Sequence, residues 1–313
     1  MTARTDPRIP VRMPSGFDRA AAEREDDGLL DRLRADEASR VLVLHADTAQ
    51  VTGPSGGGAR LVYRRSAQVP DGARWAFLGR ADDGAALLTA VFDREAERPF
   101  AGEEWAPLRA AGGDLDAGEA AAFTAAVSLG RWLLDAEFCP ACGIRTRLRA
   151  NGWARVCDDC GREHFPRTDP AVIVAVQSAT DPDLLLLGSN ALWEADRFSC
   201  FAGFVEAGES AEAAVVRELG EEAGVRVRDV RYRGSQAWPY PRSLMLGFLA
   251  RAVDDDAARA DGAEIAAVRW FTRAQIGEAL QERAAGRRPG DVLLPGTASI
   301  AHRLISEWHA GAA

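Results

Sequence analysis

The chain has 313 residues, 47% of them hydrophobic and 27% charged, with a formal charge of -9; its length exceeds the usual single-domain range, so two domains, or two and a small module, are expected. No apolar run approaches the length of a membrane span, and residues 1–10 carry charges and prolines with no apolar stretch of a signal peptide, so no membrane association and a cytoplasmic location are the expectation. The acidic balance excludes a broad basic surface for nucleic acid, and it means that a polyphosphate substrate needs metal ions to screen its charge.

From Val41 to Phe92 short apolar segments, VLVLH, RLVYR, RWAFLG and ALLTAVF, alternate with turn-rich stretches such as GPSGGG. That pattern predicts a β-rich N-terminal domain. Between Leu115 and Glu137 the composition turns alanine-rich, and Ala120, Phe123, Val127 and Leu134 fall on one helical face. Gly130 shares that face and permits close packing against a neighbour.

Four of the five cysteines then follow as two pairs, Cys139 with Cys142 and Cys157 with Cys160, fourteen residues apart. In a chain with no export signal this is the spacing of a closed, tetrahedral and structural zinc site rather than of a disulfide framework. Gly143 and Gly161 follow each pair and let the backbone fold around the sulfurs. Cys200 stands alone and reads as a small buried side chain.

Beyond His164 the apolar runs lengthen: AVIVAV at 171–176, LLLL at 184–187 and LMLGFLA at 244–250. They predict buried strands that interleave with helices starting near Ser210, spanning about Thr272–Ala285 and closing the chain at about Thr297–Trp308, which makes this part α/β. The domains expected are 1–136, β-rich and ending in a helix; 137–166, the zinc ribbon; and 167–313, the α/β domain.

The decisive segment is GFVEAGESAEAAVVRELGEEAGV, residues 203–225. Ser210 is a suitable N-cap and Gly224 a suitable stop. On the helix between them Glu218, Glu221 and Glu222 stand at i, i+3 and i+4, so their carboxylates share a face and repel by a few tenths of a kcal/mol per pair. A hard divalent cation removes that penalty, and oxygen ligands are what magnesium and manganese prefer. Arg217 can orient a neighbouring carboxylate, and Gly203 and Gly208 are read as permitting the tight loop that brings Glu209 to the same face.

Acidic helix faces are usually just solvated. This one also fits G-x5-E-x7-R-E-U-x-E-E-x-G-U at Gly203, Glu209, Arg217, Glu218, Leu219, Glu221, Glu222, Gly224 and Val225, and it resembles the Nudix box at every specified position. Downstream, SQAWPYPRS at 235–243 is similar to the S-Q-P-W-P-F-P-x-S signature of the NADH pyrophosphatase subfamily, with Ala237 in place of a proline and Tyr240 in place of phenylalanine. Its prolines and aromatic rings read as a rigid turn presenting Trp238 and Tyr240 to a flat ring. The cysteine module, HFPRTDP at 164–170 and PGTASIAHRLI at 295–305 resemble the same subfamily.

The resemblance implies a Nudix α/β/α sandwich preceded by the zinc ribbon and the β-rich domain. It implies magnesium or manganese held by Glu218, Glu221, Glu222, the backbone carbonyl of Ala202, and Glu264 in AEIAAVRWF, with Glu218, Glu221, Glu222 and Glu264 catalytic. Either Glu222 or Glu264 takes the proton from the attacking water. Gln236, Ala237, Trp238, Pro239, Tyr240, Pro241, Arg242 and Ser243 would line the nucleotide pocket, with Phe165 as an aromatic wall and Ala301 giving a backbone contact. Phe165 stands where relatives can have tyrosine, and Gly152 replaces a glutamate some of them use.

The activity so implied is metal-dependent hydrolysis of NADH or NAD+ to AMP and (reduced) nicotinamide mononucleotide. Removal of NAD caps from RNA 5' ends is the same chemistry on a larger substrate, and hydrolysis of another nucleoside diphosphate derivative is a further alternative. A homodimer is expected from relatives. A binding module with a vestigial hydrolase domain would require loss of the box carboxylates, all of which are present.

Overall fold

The computed structural model describes residues 17–311, apart from 54–57, 101, 195, 288, 289 and 291. The start of the expected 1–136 domain and the middle of GPSGGG lie outside the described residues. The chain divides into two compact units, residues 17–167 with Pro239–Arg242, and Thr168–Trp238 with residues 243–311.

In the first unit the strands β1 (Arg40–His45), β2 (Thr48–Thr52), β3 (Arg74–Ala81) and β4 (Ala86–Phe92) form one sheet with shorter neighbours. β1 pairs parallel with β4, while β3–β4 and β1–β2 are antiparallel. The helix α1 (Ala117–Asp135) covers one face through Phe123, Val127, Leu129 and Leu133, which pack with Leu42, Leu44, Leu78 and Val91. On the other face Val41, Val43, Phe77 and Leu88 meet Leu29 and Leu33 of a short helix, Leu29–Ala35. Burial on both faces explains why β4 is apolar at nearly every position rather than alternating. Gly130 does what its place on the apolar face predicts: a Cβ there would stand 3.0 Å from Val91, so the helix lies directly on the sheet. The RLVYR segment is two short pieces, Arg60–Leu61 and Tyr63–Arg64.

Three short strands, β5 (Arg147–Arg149), β6 (Ala154–Val156) and β7 (Glu163–His164), make the antiparallel ribbon that carries the four cysteines. Gly152 in its β5–β6 turn has φ +99°, and a Cβ there would lie 2.4 Å from Ala76 Cβ, so no side chain fits.

The second unit is built on β8 (Asp169–Gln177), β9 (Leu184–Asn190), β10 (Phe201–Phe204), α2 (Ala211–Ala223), β11 (Val227–Trp238), β12 (Ser243–Ala252), β13 (Ile265–Thr272), α3 (Arg273–Ala284) and α4 (Ile300–His309). The sheet order is β11-β12-β8-β9-β13, with β10 paired to the first half of β8. β8 and β12 are parallel; the other pairs are antiparallel. Alternation along β8 sends Val172, Val174 and Val176 to the α2 face and Ile173 and Ala175 to the face covered by α3 and α4. That makes an α/β/α sandwich, and both-sided burial is why AVIVAV is an unbroken apolar run.

Two expectations need correction. Ser235–Trp238 are not part of a turn: they are the last four residues of β11, which the sequence hides because its pairing with β12 slips between Arg228 and Arg231 and between Tyr232 and Gly234, breaking the two-residue period. The final helix begins at Ile300 rather than Thr297, because Ser299 is the N-cap and its Oγ accepts the Ala301 N–H.

Candidate active site and zinc centre

The sulfurs of Cys139, Cys142, Cys157 and Cys160 lie within 4.8 Å of one another, with Cys139 to Cys160 at 3.7 Å and Cys142 to Cys157 at 3.4 Å. A tetrahedron with Zn–S bonds of about 2.3 Å has edges of roughly 3.8 Å, so the quartet fits zinc. Each knuckle is built alike: Cys139 N–H donates to Ile144 O and Gly143 N–H to Cys139 O, and Cys157 and Gly161 repeat this with Arg162 and Cys157. Gly143 and Gly161 hold φ of +75° and +70°, the left-handed turn each knuckle requires. Cys200 is buried, as expected of a lone small side chain, and burial pushes its thiol up to about 12.

On α2 the expected caps are in place. Ser210 Oγ accepts the Ala213 N–H at 3.2 Å, and Gly224 at φ +65° sends the chain back so that Val225 N–H reaches Leu219 O. Ala214, Val215, Leu219 and Ala223 bury the apolar face, and Glu222 is turned inward with them at 6% exposure. Glu218 is largely covered and Glu221 mostly exposed.

Arg217 organises the outer carboxylates. Its Nε and Nη2 grip both oxygens of Glu209 at 3.0 and 2.9 Å, Nη2 also donates to Phe204 O, and Nη1 reaches Glu218 at 2.9 Å and Glu221 at 3.1 Å. That bidentate clamp holds the Glu209 carboxyl below its ordinary range. Gly208, at φ +89°, makes the turn that brings Glu209 there. Gly203 has a different role from the one its sequence context suggested. It lies in the extended strand β10, and a Cβ built on it would stand 1.9 Å from Glu218 Cδ, so the glycine lets that carboxylate lie against the strand backbone.

Glu264 reaches the same place through a loop that local sequence did not reveal. Arg259 N–H donates to Ala223 O and Asp261 N–H to Glu222 O, which seats the loop on the end of α2. The Asp261 carboxylate then accepts the N–H groups of Ala263, Glu264 and Ile265, and Ala191 N–H holds the Glu264 carbonyl at 2.9 Å. Those amides, Ile265 first, keep the Asp261 carboxyl low. The available signal was Asp-Gly-Ala-Glu, an aspartate placed to bond the amides just ahead of it around a glycine turn.

Glu222 sits where these pieces converge. Burial, then the charges of Glu264, Glu218 and Asp261, push its carboxyl up to about 8, against the opposing bond from the Ala202 N–H. Its Oε2 is buried without a hydrogen-bond partner. In an extended strand a residue's N–H and C=O leave by the same edge, so the Ala202 carbonyl faces the same carboxylates. The donors are therefore all oxygen, anionic but for one carbonyl, with an orphaned buried atom among them, which fits a hard divalent cation. Among the described residues only the cysteines gather three or more ligand atoms within 4.8 Å; the glutamates stand farther apart, two of them drawn toward Arg217.

Of the expected nucleotide-binding residues, Gln236, half-buried, bonds Ala298 O and Ile300 N–H at 2.7 Å each. Ala237 is exposed, Trp238 half-buried and Ser243 buried at the start of β12. Ala301 is buried in the first turn of α4. Pro239–Arg242 group with the first unit, where Pro239 is buried, Pro241 and Arg242 are exposed, and the Tyr240 hydroxyl accepts the Arg109 N–H at 3.2 Å. Phe165, also in that unit, is 45% exposed.

Comparison with known proteins matches three successive stretches. Residues 34–132 match the NADH pyrophosphatase-like rudimentary NUDIX domain, 135–165 the NADH pyrophosphatase zinc ribbon domain, and 167–291 the NUDIX domain. The NAD-capped RNA hydrolase NudC of Mycobacterium tuberculosis (strain ATCC 25618 / H37Rv) is 41% identical over 242 residues, 75% of each chain. The NAD-capped RNA hydrolase NUDT12 of Macaca fascicularis is 39% identical over 198 residues, 61% of this chain and 42% of that one. A solved NUDIX hydrolase from Nitrosomonas europaea is 23% identical, covers 50% of this chain and 98% of its own, and superposes with a TM-score of 0.35.

Proposed function

Because the chain belongs to the Nudix hydrolase family, in the branch that also carries the zinc ribbon and the rudimentary domain, we propose that it hydrolyses the diphosphate bond of NADH or NAD+, giving AMP and (reduced) nicotinamide mononucleotide. The observation that carries this reading is Glu222: a buried carboxylate with an orphaned oxygen, surrounded by Glu218, Glu264 and Asp261. Such a centre is costly unless a cation shares it, and that cation in turn can bind the charged oxygens of a diphosphate.

Glu218, Glu221, Glu222, Glu264 and the Ala202 carbonyl would hold magnesium or manganese. Bound there, the ions supply charge neutralisation at the diphosphate oxygens and lower the pKa of the attacking water. The chain does the rest. Arg217 and Glu209 fix the outer carboxylates, Gly203 lets Glu218 approach the strand, and Asp261 holds the loop that presents Glu264. Either Glu222 or Glu264, near enough for the charge of Glu264 to raise the Glu222 carboxyl, accepts the proton as oxygen attacks phosphorus. In the second unit Ala237, Trp238, Ser243 and Ala301 would give nucleotide contacts, with Gln236 bonded to the start of α4 beside them. Zinc stays structural, since four thiolates close its coordination.

Removal of NAD caps from RNA is a second reading, favoured by the names of the relatives above. The assembly we propose is a cytoplasmic homodimer; among the described residues no helix is long and apolar enough to cross a membrane. Light scattering after size exclusion would report the oligomer.

The test is to incubate the purified protein with NADH, NAD+, ADP-ribose and NAD-capped RNA, with manganese or with a chelator, and identify products by mass. AMP and nicotinamide mononucleotide, formed only with metal, are expected. Efficient cleavage of ADP-ribose with none of NADH would overturn the substrate assignment.

A further inference from the structure

The amide of Gln236 is committed in two directions. Nε2 donates to Ala298 O and Oε1 accepts the Ile300 N–H, both at 2.7 Å, the short end of the range for such bonds. These bonds bracket Ser299, the N-cap of α4, whose Oγ takes the Ala301 N–H at 3.2 Å. A carbonyl needs a donor and an N–H needs an acceptor, so the partners dictate which way the amide points, and a primary amide offers one of each side by side.

The same helix start is set from the neighbouring strand. A Cβ on Gly247 of β12 would meet Ile300 Cδ1 at 2.9 Å, so Ile300 packs directly on strand backbone. Farther along, Arg303 donates to Arg233 O and Arg233 pairs with Glu307, each at 3.4 Å, which ties α4 to β11. The carboxylate helix α2 lies on the opposite face of the sheet, so a small shift at the start of α4 leaves it in place.

We propose that Gln236 is a positioning residue: it fixes the Ala298–Ala301 turn so that the backbone there borders the nucleotide, and does not itself read the nucleotide. The inference rests on the NAD(H) reading. It deepens that reading by dividing the signature into a residue that shapes the pocket and residues that touch the ligand. Disturbing the clamp therefore weakens ground-state binding without slowing bond cleavage.

The experiment compares steady-state kinetics on NADH for the wild type, Gln236→Ala, Gln236→Glu and Gly247→Ala, with melting curves as a folding control. Gln236→Ala should raise KM about tenfold while kcat stays within about twofold, as expected for two lost hydrogen bonds that act equally on ground and transition states. Gln236→Glu keeps the acceptor for Ile300 but sets an oxygen against Ala298 O, and should behave similarly. Gly247→Ala presses on the Ile300 side chain, and at 3.3 Å on Gly234 O of β11, without replacing Gln236, so it should reproduce the KM rise, and the double variant should show less than the product of the two effects.

A KM rise in Gln236→Ala with none in Gly247→Ala would mean that Gln236 contacts substrate directly, and would overturn the proposal. So would an unchanged KM in both, or a loss confined to kcat. A wild type inactive on NADH would sink the activity reading, whereas hydrogen exchange at the Ile300 and Ala301 amides tests the clamp by itself. In Gln236→Ala that exchange should quicken about tenfold, the amount one lost hydrogen bond releases, and an unchanged rate means no clamp.

Discussion

Glu222→Gln should abolish turnover and, in metal-free protein, raise the melting temperature. The Glu222 carboxyl is pushed from 4.5 up to about 8, so between those pH values the folded state binds a proton that the unfolded state has lost, and stability falls as pH rises through that window. pH 7.5 lies three units above the ordinary carboxyl value of 4.5 and below the folded value of about 8, so at about 1.36 kcal/mol per unit the folded state bears a penalty of about 4 kcal/mol. Glutamine removes the charge but accepts the Ala202 N–H less strongly, returning about 1 kcal/mol. The net gain is about 3 kcal/mol, or about 6–12 °C for a unit of this size. The assay is thermal unfolding with a chelator from pH 5.5 to 8.5. The gap between variant and wild type should widen as pH rises and level off above about pH 8, and manganese should narrow it by compensating the wild-type charge. A variant that melts at or below the wild type in chelator at pH 8, or a gap that ignores pH, would refute the claim that burial and the neighbouring carboxylates disfavour the ionised form of Glu222.

Gly203→Ala places a methyl carbon on the Glu218 carboxylate; it should cost about 1–3 kcal/mol of stability as an overpacked site, seen in denaturant melts, and should raise the manganese concentration needed for activity. Asp261→Ala frees the loop that presents Glu264, so metal affinity measured by calorimetry should fall about 10- to 100-fold, as when other supports of metal ligands are lost. Combined with Glu264→Ala it should add little further loss. Cys157→Ser should lower zinc content by mass spectrometry from one ion per chain and lower the first melting transition, because binding of the ion contributes directly to folding.

Much of the second unit was legible because its strands are buried on both faces and read as long apolar runs. The first unit's β-rich character and its closing helix were equally plain, but its kinship to the NUDIX domain was not. Nor was its strand order, which sets a parallel pair, β1 with β4, inside an otherwise antiparallel arrangement, because strand order is not written in residue periodicity. β11 escaped for another reason: it is an edge strand with two register slips, so neither a continuous apolar run nor clean alternation marks it.

The sequence by itself determined the zinc quartet and the shared face of Glu218, Glu221 and Glu222, because both follow from spacing along a few residues of backbone. It did not separate the three glutamates. The tertiary structure did, by laying β10 and the Asp261 loop over the end of α2: Glu222 is turned inward beside Ala202 and Glu264, Glu218 rests on Gly203, and Glu221 stays in water. Spacing fixes which side chains are neighbours on one helix. How much water each keeps, and hence its charge, depends on segments that arrive from as far as forty residues away.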